Sequence, residues 1–358
     1  MPRVIGIDPG TITIDLCGLD DGRLVLDLTL PTPEALRDPS AVVARLVAAG
    51  PVDLIAGPSG YGLPCVHARD LTDRDLRLAF LAAEGEPGGI DGLRSLMRAL
   101  AASGLPVLFT PGVIHLDTVP SHRKINRVDM GTADKVCAVA LAVSEQAERR
   151  RCALRATSFI LLELGGAFTA AIAVQDGRIV DGVGGSSGPM GFRAAGAFDG
   201  EVAYLAGHVP KSRIFAGGAA AVSGASDISE LAGSSSAQAR VALEAYLENA
   251  VKAVASLRVS APRATEVVLS GRSGQNVKVR DELSRRLGDV GLSLHVVGGF
   301  ANAASQAAQG AALIAAGLAG GAQADLVDTL RVRQASGTVL DHLYVISRAE
   351  AEARLGLV

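Results

Sequence analysis

The sequence is poor in the residues that build disulfide frameworks, metal cages, membrane spans and nucleic-acid surfaces. Its four cysteines (Cys17, Cys65, Cys137, Cys152) are scattered with no C-x-x-C pair. That argues against redox or metal roles and predicts reduced, structural thiols of a cytoplasmic protein. The six histidines show no H-x-x-x-H or similar ligand spacing. No dense Lys/Arg stripe occurs, and a net charge of −3 with a pI near 6.1 gives no expectation of a nucleic-acid partner. No apolar run reaches the roughly 18 residues of a membrane span. The nearest, Ala301 to Leu318, is broken by Asn302, Ser305, Gln306 and Gln309. Met1-Pro2-Arg3 leads straight into a strand-like run, so no signal peptide is expected.

What is present is a folded-protein composition, 49% apolar and 20% charged over 358 residues, enough for about two domains with cores of their own. One regularity organises it. The stretch V-I-G-I-D-P-G-T-I-T-I-D-L-C-G-L-D-D-G-R-L-V (Val4 to Val25) is echoed by L-L-E-L-G-G-A-F-T-A-A-I-A-V-Q-D-G-R-I-V-D (Leu161 to Asp181) at an offset of 155 residues. Glu163 falls on Asp8, Gly165 on Gly10, Asp176-Gly177 on Asp21-Gly22, Arg178 on Arg23 and Val180 on Val25. Asp-Gly between alternating apolar runs signals a type I′ hairpin, whose two central residues need positive φ. Each copy therefore predicts a three-stranded meander with an acid at one tip. Acid, glycine, turn and arginine in common register favour duplication over coincidence.

The segments that follow repeat the same logic. After the first meander come a helix (40–49), a strand (53–56), a helix (91–103), a strand (107–110) and a helix (132–149). After the second come helices (200–206 and 237–257), a strand (266–269), a helix (279–287), a strand (293–297) and a helix (303–316). In the longest helix Leu243, Leu247, Ala250, Val254 and Leu257 recur at three- and four-residue steps. The expected fold is α/β: two duplicated domains with mixed five-stranded sheets, each a β-meander followed by alternating helices and strands. The expected divisions are 1–152, 153–320 and a C-terminal extension, 321–358.

I-G-I-D-P-G-T resembles the first phosphate motif, and L-E-L-G-G-A-F-T the second, of the actin, sugar-kinase and heat-shock-chaperone superfamily. V-V-L-S-G-R-S-G stands where its adenosine motif falls. T-A-D-K-V-C-A-V-A-L-A and Q-G-A-A-L-I-A-A-G resemble its two connecting helices. D-G-R-I-V-D-G and N-R-V-D-M-G-T-A-D-K look most like a group of predicted butyrate kinases. The resemblance covers roughly residues 3 to 318. It implies RNase H-like domains, ATP and Mg²⁺ in an interdomain cleft, and phosphoryl transfer to a small molecule, a short-chain carboxylate giving an acyl phosphate. An ATP-dependent carboxylate-activating ligase and a non-catalytic nucleotide-binding switch are the alternatives, and a homodimer is a further expectation.

Against that background the residues divide as follows. Asp8-Pro9-Gly10-Thr11 fits a type II turn, which accounts for Pro9 and Gly10 but leaves Asp8 unexplained. Asp8 and Glu163 facing each other could hold Mg²⁺ through its waters. The superfamily's second motif usually has Asp where this chain has Glu163. Gly10, Thr11, Gly165 and Gly166 would bring bare backbone N–H groups to phosphate oxygens. Ser270-Gly271 would let an adenosine lie against the backbone, although the superfamily usually has two glycines there. Arg272 either packs on the adenine or solvates the turn, and Gly298-Gly299 offers either a second close approach or a turn. Arg123, Lys124 and Arg127 could neutralise a phosphoryl group or an acceptor carboxylate, or form a solvated loop before a helix capped by Asp129 or Thr132. Asp129 or Asp134 could orient the acceptor, with Asp129 the candidate base for a hydroxyl, and Lys135 could pair with either. Gly57 to Pro64 is a candidate substrate loop.

Overall fold

The computed structural model describes residues 2–83, 85 and 90–357. The first meander is β1 (Arg3–Pro9), β2 (Thr13–Asp20) and β3 (Arg23–Pro31), all antiparallel. β4 (Leu54–Pro58), β5 (Val66–His67) and β6 (Val107–Thr110) complete a sheet of order β3-β2-β1-β4-β6-β5. The second meander is β7 (Phe159–Leu164), β8 (Thr169–Gln175) and β9 (Arg178–Val183), joined by β10 (Glu266–Ser270) and β11 (Ser293–Val296) in the order β11-β10-β7-β8-β9. The second sheet has the expected five strands. The first has a sixth, the two-residue β5, pairing antiparallel on its edge.

Local chemistry explains the repeat. Both Asp-Gly turns take positive φ at both residues, +51° and +75° at Asp21-Gly22 and +55° and +71° at Asp176-Gly177, as type I′ geometry demands. A β-bulge follows the same offset, with register shifts at Gly18/Leu19 and at Ala173/Val174. The first tip departs from expectation, because Gly10 does not adopt positive φ. The tip is not a type II turn there. Glycine is needed for space instead, since a Cβ would lie 2.8 Å from the Thr13 carbonyl oxygen.

The two halves are locked by crossed helices. The Gln306–Leu318 helix, which follows β11, lies on the first sheet: a Cβ on Gly6 of β1 would sit 2.2 Å from the Ala308 oxygen. The Ala133–Arg150 helix, which precedes β7, shares a core with Leu161, Ile172 and Val174 of the second sheet. They touch at Gly310, where a Cβ would meet the Cys137 oxygen at 1.8 Å. The opposite face of the second sheet, Ile160 and Leu162, packs with Leu247, Ala250, Val254 and Leu257 of the Ala237–Leu257 helix. Residues 324–357 return over the first half. Leu326, Val327 and Leu330 join a core that both sheets share, Arg331 pairs with Asp117 through a carboxylate fork, and Asn126 Oδ1 accepts from the Tyr344 and Val345 amides.

Candidate active site

The two acid-bearing tips meet. A Cβ on Gly166 would lie 2.7 Å from Ile12 Cδ1 and 3.4 Å from Thr11 Oγ1, so the second tip is seated against the first with no room for a side chain. Beneath them opens a cleft of about 670 Å³ lined by both tips, by the Ser270–Arg272 strand end, by the 301–307 segment and by part of the first half. Among the described residues five carboxylates line it, those of Asp8, Asp15, Asp129, Asp134 and Glu163. Two cationic side chains, Lys135 and Arg272, do so among the described residues.

Each tip acid takes its partner from the first turn of the connecting helix beneath its own sheet. Asp8 Oδ2 accepts from Ser305 Oγ at 2.7 Å, and Ser305 Oγ also caps that helix by accepting from the Ala308 amide at 3.2 Å. Glu163 Oε1 instead receives the Lys135 ammonium at 2.8 Å, and the same ammonium reaches Asp134 Oδ2 at 2.5 Å. Thr132 stands at that helix's N-cap, but its hydroxyl donates to Asp134 instead of accepting from the helix. The consequences for protonation differ. Burial, reinforced by the charge of Asp134, pushes the Asp8 carboxyl up to about 8. Burial also raises Glu163, with the Lys135 ammonium opposing it. Burial would raise Asp134 as well, yet Lys135 and the Thr132 hydroxyl bring it below the ordinary carboxylate range. Burial opposes charge on Lys135, but Asp134 and Glu163 more than offset it and hold the ammonium above its ordinary range.

The backbone of the tips suits an anion. Among the described residues the N–H groups of Gly10, Thr11 and Gly166 donate to no backbone acceptor, which is what a phosphate nest requires. Gly165 is different: its N–H is committed to the Phe168 oxygen at 2.9 Å, so it shapes the turn and does not bind. At the position where adenosine was expected, Gly271 has φ +86°, and a Cβ there would lie 2.5 Å from the Leu164 oxygen. Ser270 Oγ is buried without a hydrogen-bond partner, and Ser273 Oγ donates to the Gly165 oxygen at 3.1 Å. Arg272 reaches across to Thr13 Oγ1 at 3.3 Å.

Two expectations need correction. Gly299 has its N–H on Glu145 Oε2 at 3.1 Å, as Gly298 does at 2.9 Å, and φ +78° marks it as a turn residue. The basic cluster does not face the cleft. Arg123 donates to the Val180 oxygen at 2.7 Å, Lys124 is buried with its ammonium on the Leu116 oxygen at 2.8 Å, and Arg127 is exposed. A run of basic residues in a loop cannot report which way each side chain turns. Asp129 does line the cleft, but it also organises the 184–187 loop. Its Oδ2 accepts from the Ser186 amide at 2.8 Å and hydroxyl at 2.7 Å, and its Oδ1 from the Gly131 amide at 3.3 Å.

Two cleft residues escape the repeat argument. Ser305 belongs to a helix start and shows no pairing with Asp8 in the sequence. Asp15 is 4% exposed, pairs in register with Asp8 across β1 and β2, and leaves Oδ1 without a partner. Its counterpart at the 155-residue offset is Ala170, so duplication gave no signal for it. Of the substrate loop, Gly57, Gly60 and Tyr61 reach the cleft.

The chain matches the model of a family described as a protein of unknown function, DUF1464, over residues 6–345, and it belongs to that family. No curated protein matches it by sequence. Among solved structures it is similar to a propionate kinase from Francisella tularensis, at 15% identity and a TM-score of 0.61 over 87% of this chain and 99% of that one. It is also similar to an acetate kinase from Entamoeba histolytica, at 12% identity and a TM-score of 0.59 over 80% and 87% of the two chains. A Porphyromonas gingivalis acetate kinase gives 14% identity and a TM-score of 0.57 over 87% and 98%. The chain thus shares the two-domain α/β fold of these solved structures.

Proposed function

We propose that the protein is an ATP- and Mg²⁺-dependent phosphotransferase acting on a small molecule. The observation that carries this reading is the contact of two acid-bearing, glycine-tipped hairpins over a 670 Å³ cleft. The site fits a nucleotide on its own chemistry: bare amides at both tips, an unpartnered Ser270 hydroxyl, and a glycine at 271 where any Cβ would strike the Leu164 backbone. Phosphate oxygens would rest on the Gly10, Thr11 and Gly166 amides, and adenosine would lie along Ser270-Gly271 with Arg272 beside it. Among the described residues no three His, Cys, Asp or Glu side chains form a ready metal cage. Mg²⁺ commonly takes one or two carboxylates and completes its shell with water and phosphate. Asp8 is the better placed of the two tip acids to supply one, because Glu163 already carries an ammonium. When bound, the ion would neutralise charge on the transferred phosphoryl group.

The chain's own contribution is positioning and charge. Ser305 aims the Asp8 carboxylate, Lys135 holds Asp134 and Glu163 together, and closure of the cleft would exclude water. A short-chain carboxylate acceptor draws support from the activities in the names of the propionate and acetate kinases of like fold. A nucleotide-binding switch is favoured by one observation, the ammonium already seated on Glu163. One assay separates turnover from switching. ADP release from MgATP is measured against a pooled panel of small acids and alcohols, with and without EDTA. The enzyme reading expects acceptor-dependent, EDTA-sensitive release. Tight ATP binding without transfer to any acceptor would leave the switch.

A further inference from the structure

The cleft is larger than its charged end. Away from the tips it is walled by Phe80, Leu93, Leu96, Met97, Leu100 and Phe109. Leu93, Leu96, Met97 and Leu100 stand on one face of the Ile90–Ala102 helix, at the spacing that makes a continuous apolar stripe. Among the described residues no cationic side chain lines this wall; Arg94, on the same helix, turns its guanidinium to the Ala82 and Ala83 carbonyl oxygens. Lys135 is held between Asp134 and Glu163, and Arg272 lies on Thr13 of the first tip. Arg123, Lys124 and Arg127 are turned elsewhere. Among the described residues an anionic acceptor would therefore meet five acidic side chains and, apart from Arg272 on the Thr13 hydroxyl, no cation free of a carboxylate partner. Like charges in a half-buried site repel strongly. An apolar body, by contrast, would gain by leaving water for this wall.

We propose that the acceptor is an uncharged alcohol with an aliphatic or aromatic body, seated against the wall of Phe80, Leu96 and Met97 with its hydroxyl among the cleft carboxylates. This rests on the phosphotransfer reading and puts an alcohol in place of the short-chain carboxylate as its substrate class. The hydroxyl oxygen would bond to the γ-phosphorus as the bond from that phosphorus to the β–γ bridging oxygen breaks. The electron pair leaves on ADP, the hydroxyl proton passes to a cleft carboxylate, and the products are ADP and a phosphate monoester. Asp129 is the candidate acceptor of that proton. It lines the cleft and is held in one orientation by the Ser186 and Gly131 donors.

The test is a calorimetric titration of the full chain, saturated with a non-hydrolysable ATP analogue and Mg²⁺. The ligands are straight-chain alcohols of increasing length and carboxylates of the same lengths. Alcohol affinity is expected to rise about fourfold per methylene until the wall is covered, with each matching carboxylate at least about tenfold weaker. Met97→Trp should flatten the chain-length dependence, and Leu100→Ala should move the optimum to a longer chain. Thermal unfolding reports whether either variant is folded. Carboxylates binding as well as alcohols, or affinity independent of length, would overturn the proposal while leaving phosphotransfer intact. Failure of the ATP analogue to bind would instead bring down the phosphotransfer reading itself.

Discussion

The two hairpin tips share a backbone and differ in their electrostatics. Both put an acid at the end of the first strand of a meander, both have a glycine two residues later, and both lean on the first turn of a connecting helix. The first acid, Asp8, meets a hydroxyl from Ser305; the second, Glu163, meets an ammonium from Lys135. Asp8 also faces a second carboxylate, Asp15, in cross-strand register, where Glu163 faces Ala170. The first tip is therefore short of positive charge and the second supplies its own. The two copies share the frame and differ in the counter-charge. A divalent cation would belong to the first tip, with Glu163 anchoring Lys135.

The largest expected effect breaks the first tip. Asp8→Ala should lower turnover at least ~10²-fold, about 2.7 kcal/mol of transition-state stabilisation. Glu163→Gln should cost less than about tenfold, under 1.4 kcal/mol. Equal losses in steady-state assays would erase the asymmetry. Next comes the lysine. Lys135→Met strands Asp134 and Glu163 together, and since both are partly solvent-facing, a loss of about 2–3 kcal/mol is expected in urea unfolding. Adding Glu163→Gln should recover part of it; no recovery would mean that the ion triad is not what Lys135 stabilises.

A smaller effect tests the protonation of Asp8. Its carboxyl is raised from 3.8 to about 8 by burial and by Asp134. Between those values the folded protein holds a proton that the unfolded chain has lost. Its stabilising contribution is complete below about 4 and disappears as pH rises through about 8. Stability of the metal-free protein should thus fall across that window, by at most about 1.4 kcal/mol per pH unit from this group. Asp8→Asn should flatten the slope, and an unchanged pH profile in that variant would remove Asp8 as its source.

The sequence made the frame legible because a repeat at fixed offset carries register: acid, glycine and Asp-Gly turn all found their places. The bulges at Gly18 and Ala173 obey the same offset, although no turn residue announces them. Helix limits were readable from apolar spacing. Side-chain direction was not, and that is why Arg123 and Arg127 were expected in a cleft they do not line. Gly299 and Gly165 misled for a related reason. A glycine signals close approach or unusual φ, but not whether its amide is already taken by Glu145 or Phe168. Asp15 and Ser305 were hidden because their partnership with Asp8 exists only after β1, β2 and a helix start nearly 300 residues away have packed together.

The first tip is the proposed cation site. Manganese can replace magnesium as a paramagnetic reporter, so free Mn²⁺ can be counted by electron paramagnetic resonance in the presence of ADP. Asp8→Asn should weaken Mn²⁺ binding by at least about tenfold, or 1.4 kcal/mol, while Glu163→Gln should leave it within about twofold. The opposite order, with Glu163→Gln abolishing binding and Asp8→Asn sparing it, would contradict the account.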